Sequence, residues 1–335
     1  MNHVYEVVST APWWLVALVK AAVILGVVLT VFAYAMVFER KIMGWMQLRP
    51  GPNRTGPWGM MQPAADAVKM LFKEDLTPNT ADPLIYRLAP WISLVTAMAV
   101  FAIIPFSQTQ QGVWGVADVN GGILVIFALT SIGVYGITLA GWASGSKFPL
   151  LGSVRSTAQM ISYELAMTMS VIGVLIIAGT TSLTGIVNAQ YRQWFIFPQL
   201  VGFAIYIITA VAETNRAPFD LVEAETELVG GFHTEYSGLR FGLFFIAEYL
   251  NMISVACIAT LLFLGGWGAP LGLTIVPGLI WFVLKAGLFI FMYIWLRTTL
   301  PRLRYDRLMN FGWKFLLPVA TLNLMVTAAV VAITG

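Results

Sequence analysis

Residues 14–38 read WLVALVKAAVILGVVLTVFAYAMVF, an unbroken apolar run whose one charge is Lys20. At about 1.5 Å per residue, a helix of this length covers more than the roughly 30 Å hydrocarbon core of a bilayer. Lipid offers no partner for backbone N–H and C=O groups, so a run that crosses it must be helical. Seven further runs share the character: about 88–106, 121–142, 161–180, 194–212, 241–263, 271–296 and 311–334. The expected fold is an all-α integral membrane protein with about eight transmembrane helices. Trp13, Trp14, Trp91, Trp142, Trp194 and Trp313 fall near run ends, where interfacial aromatics belong.

The whole chain agrees with its first run. Its 335 residues are 59% hydrophobic and only 10% charged, and its mean hydropathy is +0.80. A soluble domain carries about 25% charge, so a water-soluble enzyme is excluded. So is a disordered chain, which needs low hydrophobicity and high charge. No fixed-period repeat stands out, and residues 1–335 read as a single membrane domain. Residues 1–13 hold Glu6 but no Lys or Arg, unlike the basic start of a secretory signal.

Lys and Arg set the expected orientation. The first loop, 39–87, holds Arg40, Lys41, Arg49, Arg54, Lys69, Lys73 and Arg87. The third holds Lys147 and Arg155, the fifth Arg216 and Arg240, and the seventh Arg297, Arg302, Arg304 and Arg307. The even loops and termini hold only Arg192. By the positive-inside rule the odd loops are cytoplasmic and both termini lie outside.

Scarce residues exclude several chemistries. A single cysteine, Cys257, cannot hold an iron–sulfur cluster, a structural zinc or an internal disulfide. His3 and His233, the only histidines, lie outside the apolar runs, where a membrane haem protein needs them inside. No phosphate-binding glycine loop occurs. The expected chain therefore carries no flavin, haem, iron–sulfur cluster or metal. Its net charge of +3 marks membrane orientation rather than nucleic-acid binding.

In loop one, residues 49–57 read RPGPNRTGP. Proline fixes φ and lacks a donor, and glycine admits positive φ, so this is a rigid irregular turn. Beyond it, Met61, Ala64, Ala65, Val68 and Phe72 follow one helical face, with Gln62, Asp66, Lys69 and Lys73 on the other. Such a helix lies along the interface or against a partner. The competing reading is an ordinary surface helix with a solvated Asp66–Lys69 pair.

Loop five, 213–240, is acidic where cytoplasmic loops favour cations. Glu213, Asp220, Glu223, Glu225, Glu227 and Glu235 are six of the chain's sixteen acids. Asp220, Glu223 and Glu227 form one stripe of a helix, destabilising if exposed. Buried together, they would share protons. The competing reading is a solvated acidic loop that docks to a basic partner. Glu164 and Glu248 lie within runs, and Glu213 ends one. Each costs about 2.5–3.5 kcal/mol at a helix centre on insertion scales, so each should face a polar interior. Lys285 interrupts the seventh run, and Lys20 is expected to snorkel. These acids, with the loop-five stripe, would compose one hydrated carboxylate path.

Four motifs in order carry a resemblance. Glu39-Arg40-Lys41, Gln47-Leu48-Arg49-Pro50-Gly51-Pro52-Asn53-Arg54, Gln62-Pro63-Ala64-Ala65-Asp66-Ala67-Val68-Lys69 and Lys73-Glu74-Asp75 stand in loop one. Gly141-Trp142-Ala143-Ser144, Lys147 and Arg155 through Gln159 to Ser162-Tyr163-Glu164 stand in loop three. Glu213, Asn215-Arg216-Ala217-Pro218-Phe219-Asp220, Glu223, Glu225, Glu227 and Glu235-Tyr236 stand in loop five. Leu300-Pro301-Arg302, Arg304-Tyr305-Asp306 and Trp313-Lys314 stand in the last. Over almost its whole length the chain resembles the H-subunit family of NADH-quinone oxidoreductase, respiratory complex I, related to mitochondrial NADH dehydrogenase subunit 1. It departs at Lys41, where Arg is common, at Val222, where Pro is common, and at Phe232-His233, where an aromatic–Asn pair is common. None of these removes an acid or base.

The resemblance implies a membrane subunit of a proton-pumping enzyme of the respiratory chain. Its quinone substrate would be ubiquinone or menaquinone. Glu39, Arg40, Arg49, Asp66, Lys69, Arg216 and Phe219 would shape the quinone chamber. Glu164, Glu213, Asp220, Glu223, Glu225, Glu227 and Glu248 would form the proton path coupling quinone reduction to translocation. Partners would be the peripheral quinone-site and terminal iron–sulfur subunits, small neighbouring membrane subunits and lipid, in a bacterial inner membrane with periplasmic termini. The alternatives are a homologous subunit of an ion-pumping hydrogenase or of a deazaflavin- or ferredoxin-linked dehydrogenase, and a stand-alone secondary transporter. A transporter would purify alone.

Overall fold

The computed structural model describes residues 12–109, 112–220, 230–270 and 276–334. Helix α1 (Trp13–Met46) is 34 residues long, about 51 Å at the usual rise. It therefore outruns the bilayer core and carries Glu39 two turns before its end. Lys20 is exposed on its side, as snorkelling requires. The 49–57 segment is turn and bend, as its prolines and glycines dictate. A Cβ on Gly59 would sit 2.2 Å from the Pro52 carbonyl oxygen, so only glycine closes this turn.

Helix α2 (Gln62–Phe72) follows. Its packing reverses the simplest reading of an amphipathic helix. Gln62, Asp66 and Met70 are half-buried, whereas Val68, Leu71 and Phe72 are exposed. The helix turns its polar side toward the bundle and its apolar side outward.

Helix α3 (Pro83–Ile103) starts at Asp82, whose carboxylate accepts from the N–H groups of Leu84 and Ile85. These would otherwise lack partners, and Pro83 needs none. A two-stranded antiparallel hairpin, β1 (Ser107–Thr109) with β2 (Gly112–Trp114), connects it to α4 (Gly122–Ala143). Helices α3 and α4 pack closely because Gly136 has no side chain. A Cβ there would lie 2.1 Å from Ser93 Oγ. Small residues at such crossings let helices approach in lipid, where no hydrophobic effect drives them together.

Helix α5 (Lys147–Ala178) begins well before the apolar run at 161. Polar composition hides its first half, which hydropathy alone assigns to a loop. Ser153, Ser156 and Gln159 are buried there: the two serines bond within their own helix, and Gln159 donates to the Ala212 and Phe219 carbonyls. Gly152 anchors that half: a Cβ on it would sit 2.7 Å from the Gly231 Cα. Backbone cannot swing aside, so Gly152→Val should lower the yield of folded, assembled protein severely. Quantifying the assembled complex in membranes checks this.

After the short α6 (Leu183–Ala189), the fifth run yields only α7 (Leu200–Glu213), fourteen residues. Residues 195–199 are turn instead. Pro198 has no N–H and disfavours helix in the residue before it. The buried Gln199 joins Asn323 and Thr327 there by side-chain hydrogen bonds.

A 3₁₀ turn (Gly231–His233) precedes α8 (Gly238–Phe263). This helix is the hub of the bundle, with 72% of its apolar stretch buried. Helix α9 (Gly278–Thr299) starts after Pro277. Its Lys285 donates to the carbonyls of Leu264, Gly266 and Gly268, capping the end of α8. The last span runs through α10 (Tyr305–Phe311), a π turn (Gly312–Leu316) and α11 (Leu317–Thr334). Among the described residues, seven helices are long and apolar enough to cross a membrane, and α7 is a shorter apolar eighth.

Candidate functional site

The site is assembled where α7 ends against α1, α8 and α9. Helix α7 stops at Glu213, and residues 214–220 turn away from its axis. Asn215 supplies the left-handed step, at φ 51°. Asparagine tolerates that region better than most residues. Gln159 of α5 fixes the turn by donating to the carbonyls of Ala212 (2.8 Å) and Phe219 (2.9 Å). The turn thereby pushes Arg216 inward, where its side chain is 1% exposed.

Arg216 joins carboxylates from two helices. Its Nη1 donates to Glu39 Oε2 of α1 at 2.7 Å, and its Nε lies 3.4 Å from Glu248 Oε1 of α8. The guanidinium lies 4.3 Å from the centroid of the Tyr249 ring. Glu39 uses its other oxygen to accept from Arg297 of α9. Two acids and two arginines thus form one charge-balanced cluster. Burial works against the charge on Arg216, but Glu39 and Glu248 outweigh it and raise its pKa. Arg216 is a permanent cation there.

Glu248 also faces a cavity. A space of about 60 Å³ is lined by Glu213, Glu248, Asn215, His233, Thr130 and Asn251, among others. A water needs roughly 10–15 Å³ of such space, so the cavity has room for several. Glu213 is 8% exposed, and among the described residues its Oε2 has no hydrogen-bond partner. Glu164 lies within Coulombic reach of Glu213 and accepts from Ser131 of α4. Burial pushes the pKa of His233 down to about 4, against the opposing pull of Asp220. Its ring is therefore neutral near pH 7.

The remaining candidate residues divide by place. Arg40 donates to Asp66 Oδ2 at 2.9 Å, and Lys69 lies 3.7 Å from its other oxygen, so a half-buried Asp66 within α2 holds two exposed cations. Arg49 stands apart on the turn, bonded to Gln47. Asp220 is buried and accepts from Arg302 at 3.0 Å. Phe219 is in the core, its ring centroid 5.6 Å from that of Tyr163. Glu223, Glu225 and Glu227 lie outside the described residues. Among those described, no three metal-type ligands converge.

Sequence reasoning missed Arg297, Arg302, Ser131 and Tyr249 as site members. Arg297 and Glu39 are 258 positions apart, beyond any spacing rule. A usable signal was simple pairing: acids placed in membrane runs require cations, and Arg297 ends such a run.

Comparison with known proteins adds an independent line. The family model described as NADH dehydrogenase matches residues 19–328. The chain is 51% identical to an NADH-quinone oxidoreductase H subunit of Symbiobacterium thermophilum, covering 95% of this chain and 97% of that one. It is 49% identical to the corresponding H subunit of Brevibacillus brevis, covering 97% and 95% respectively. It is 51% identical to that of Deinococcus deserti, covering 96% and 86%.

Proposed function

Because the chain belongs to the family of NADH-quinone oxidoreductase H subunits, membrane components of complex I, we propose that its Glu39–Arg216–Glu248–Arg297 cluster senses quinone reduction and passes the change to the carboxylate cavity. One observation carries this reading: Glu248 touches both Arg216 and the cavity that contains Glu213. The substrate is ubiquinone or menaquinone, and the electrons arrive from other subunits of the complex.

The chemistry follows from charge balance. Reducing a quinone creates oxygen anions that must be neutralised by protons or cations. An anion formed near Arg216 or Arg297 competes with Glu39 and Glu248 for the same guanidinium groups. Two unit charges 4 Å apart interact by about 4 kcal/mol at an effective dielectric of 20. That is enough to move a carboxyl pKa by roughly 3 units. Glu248, half released from Arg216, then takes a proton from cavity water, and Glu213 and Glu164 are next in reach. The loop-five acids Asp220, Glu223, Glu225 and Glu227 extend the path. Arg40, Arg49, Asp66, Lys69 and Phe219 shape the quinone passage.

Other complex I subunits are the chain's partners. We assign its contacts to the peripheral quinone-site and terminal iron–sulfur subunits and to small neighbouring membrane subunits. The location is a bacterial inner membrane with both termini periplasmic, supported by the concentration of Lys and Arg in the odd loops. The test is Glu248→Gln in the assembled enzyme. Quinone-linked proton pumping should fall about a hundredfold, with NADH oxidation by an artificial acceptor retained. Wild-type pumping would refute the reading.

A further inference from the structure

We infer that His233 is the relay through which protons pass between a groove on the lysine-bearing face and the carboxylate cavity, an inference that rests on the carboxylate-path reading above. The groove is open and has a volume of about 370 Å³, with Lys69, Lys73, Tyr236 and Ser237 along its walls. The inner cavity is the one that contains Glu213 and Glu248. Among the described residues, His233 and Phe241 alone line both spaces. They are the partition between them.

The partition is otherwise aromatic. The His233 ring meets Phe232 edge-on, with centroids 5.0 Å apart at 89°, and Phe241 at 5.3 Å and 69°. Phenyl rings carry no proton and exclude water. Imidazole is the exception, because it has a nitrogen on each side of its ring and accepts at one while donating from the other. The loop fixes it there: Thr234 is tied to Gly231 through both backbone and side chain, and Gly231 is pressed against Gly152 of α5.

The step balances without any co-reactant. A hydronium in the groove gives its proton to the bare ring nitrogen, leaving water. The imidazolium then releases the proton on its opposite nitrogen to a cavity water beside Glu213 or Glu248. The ring returns to neutral as the other tautomer, and a flip about its Cβ–Cγ bond restores the start. Charged groups on every side favour passage over storage. Glu248, the carboxylate paired with Arg216, draws the proton inward, Lys69 and Lys73 flank the groove, and Asp220 is near enough to steady the transient cation. Burial keeps the ring uncharged at rest, so it does not hold the proton it carries.

The test uses the intact complex in proteoliposomes. His233→Phe fills the slot with a third phenyl ring, and quinone-linked pumping should drop about a hundredfold. Assembly and NADH oxidation by an artificial acceptor should persist. His233→Gln, which keeps the size and polarity, should lose pumping equally, because an amide does not exchange protons this way. His233→Ala should regain pumping when imidazole is added, since the groove admits a molecule of that size. Wild-type pumping in His233→Phe or His233→Gln overturns the relay, as does failure of imidazole to restore assembled His233→Ala. Glu213→Gln run alongside separates the two claims. If it stops pumping while His233→Phe pumps normally, only the relay falls. If neither variant alters pumping, the carboxylate path falls with it.

Discussion

Arg216→Ala should abolish quinone-linked turnover and sharply reduce the amount of assembled complex. The guanidinium is buried and answers Glu39 directly and Glu248 through an ion pair. Removing it takes away the cation that both carboxylates share. Breaking a buried pair by deleting one partner costs about 3–5 kcal/mol, a large share of the stability of an ordinary domain. Arg216→Lys should recover little. An ammonium cannot reach Glu39 and Glu248 together from a planar fork, nor lie flat over Tyr249. The double variant Arg216→Ala with Glu39→Gln should recover assembly, since it removes charge in pairs, but not turnover. Complex content and quinone-reductase rates in the three variants check these outcomes.

Glu213→Gln should leave assembly intact and stop proton pumping. The amide has nearly the same shape and avoids the cost of burying a carboxylate whose Oε2 has no hydrogen-bond partner among the described residues. Stability is therefore kept or raised. The amide, however, cannot take up and release a proton at neutral pH. With Glu213 silent, Glu248 and Glu164 lose the group between them, and pumping should fall about a hundredfold or more. Electron transfer from NADH to an artificial acceptor does not use the cavity and should continue. Proton-release measurements beside acceptor assays distinguish this from simple loss of protein.

Much of the fold was legible because apolar runs in a bilayer have one solution. The exceptions follow from residues that break that logic locally. Ser153, Ser156 and Gln159 made the start of α5 look like a loop, yet each is buried by neighbouring helices. Pro198 shortened α7 inside an apolar run. In α2, periodicity identified the two faces but not which one packs. Asp66 is turned inward because Arg40 and Gln62 both donate to it, a set of partners invisible to hydropathy.

The site was legible in its acids and only partly in its cations. Glu248 and Glu213 announced themselves by lying in or at the end of apolar runs. Arg297 and Arg302 registered only as markers of orientation, although they hold Glu39 and Asp220. The family resemblance also kept Glu39 and Arg216 apart from Glu248, as chamber and path. The structure joins them in one cluster, and the proposed coupling rests on that junction.

Infrared difference spectroscopy of the intact enzyme, comparing the states with oxidised and reduced quinone, tests that coupling most directly. Wild-type enzyme should show a change in carboxyl C=O absorption on quinone reduction. Glu248→Gln should remove the part that belongs to the cavity acids, with quinone still bound and reducible. An identical carboxyl signal in Glu248→Gln would contradict the account, because the cavity acids would then respond without the residue that joins them to Arg216.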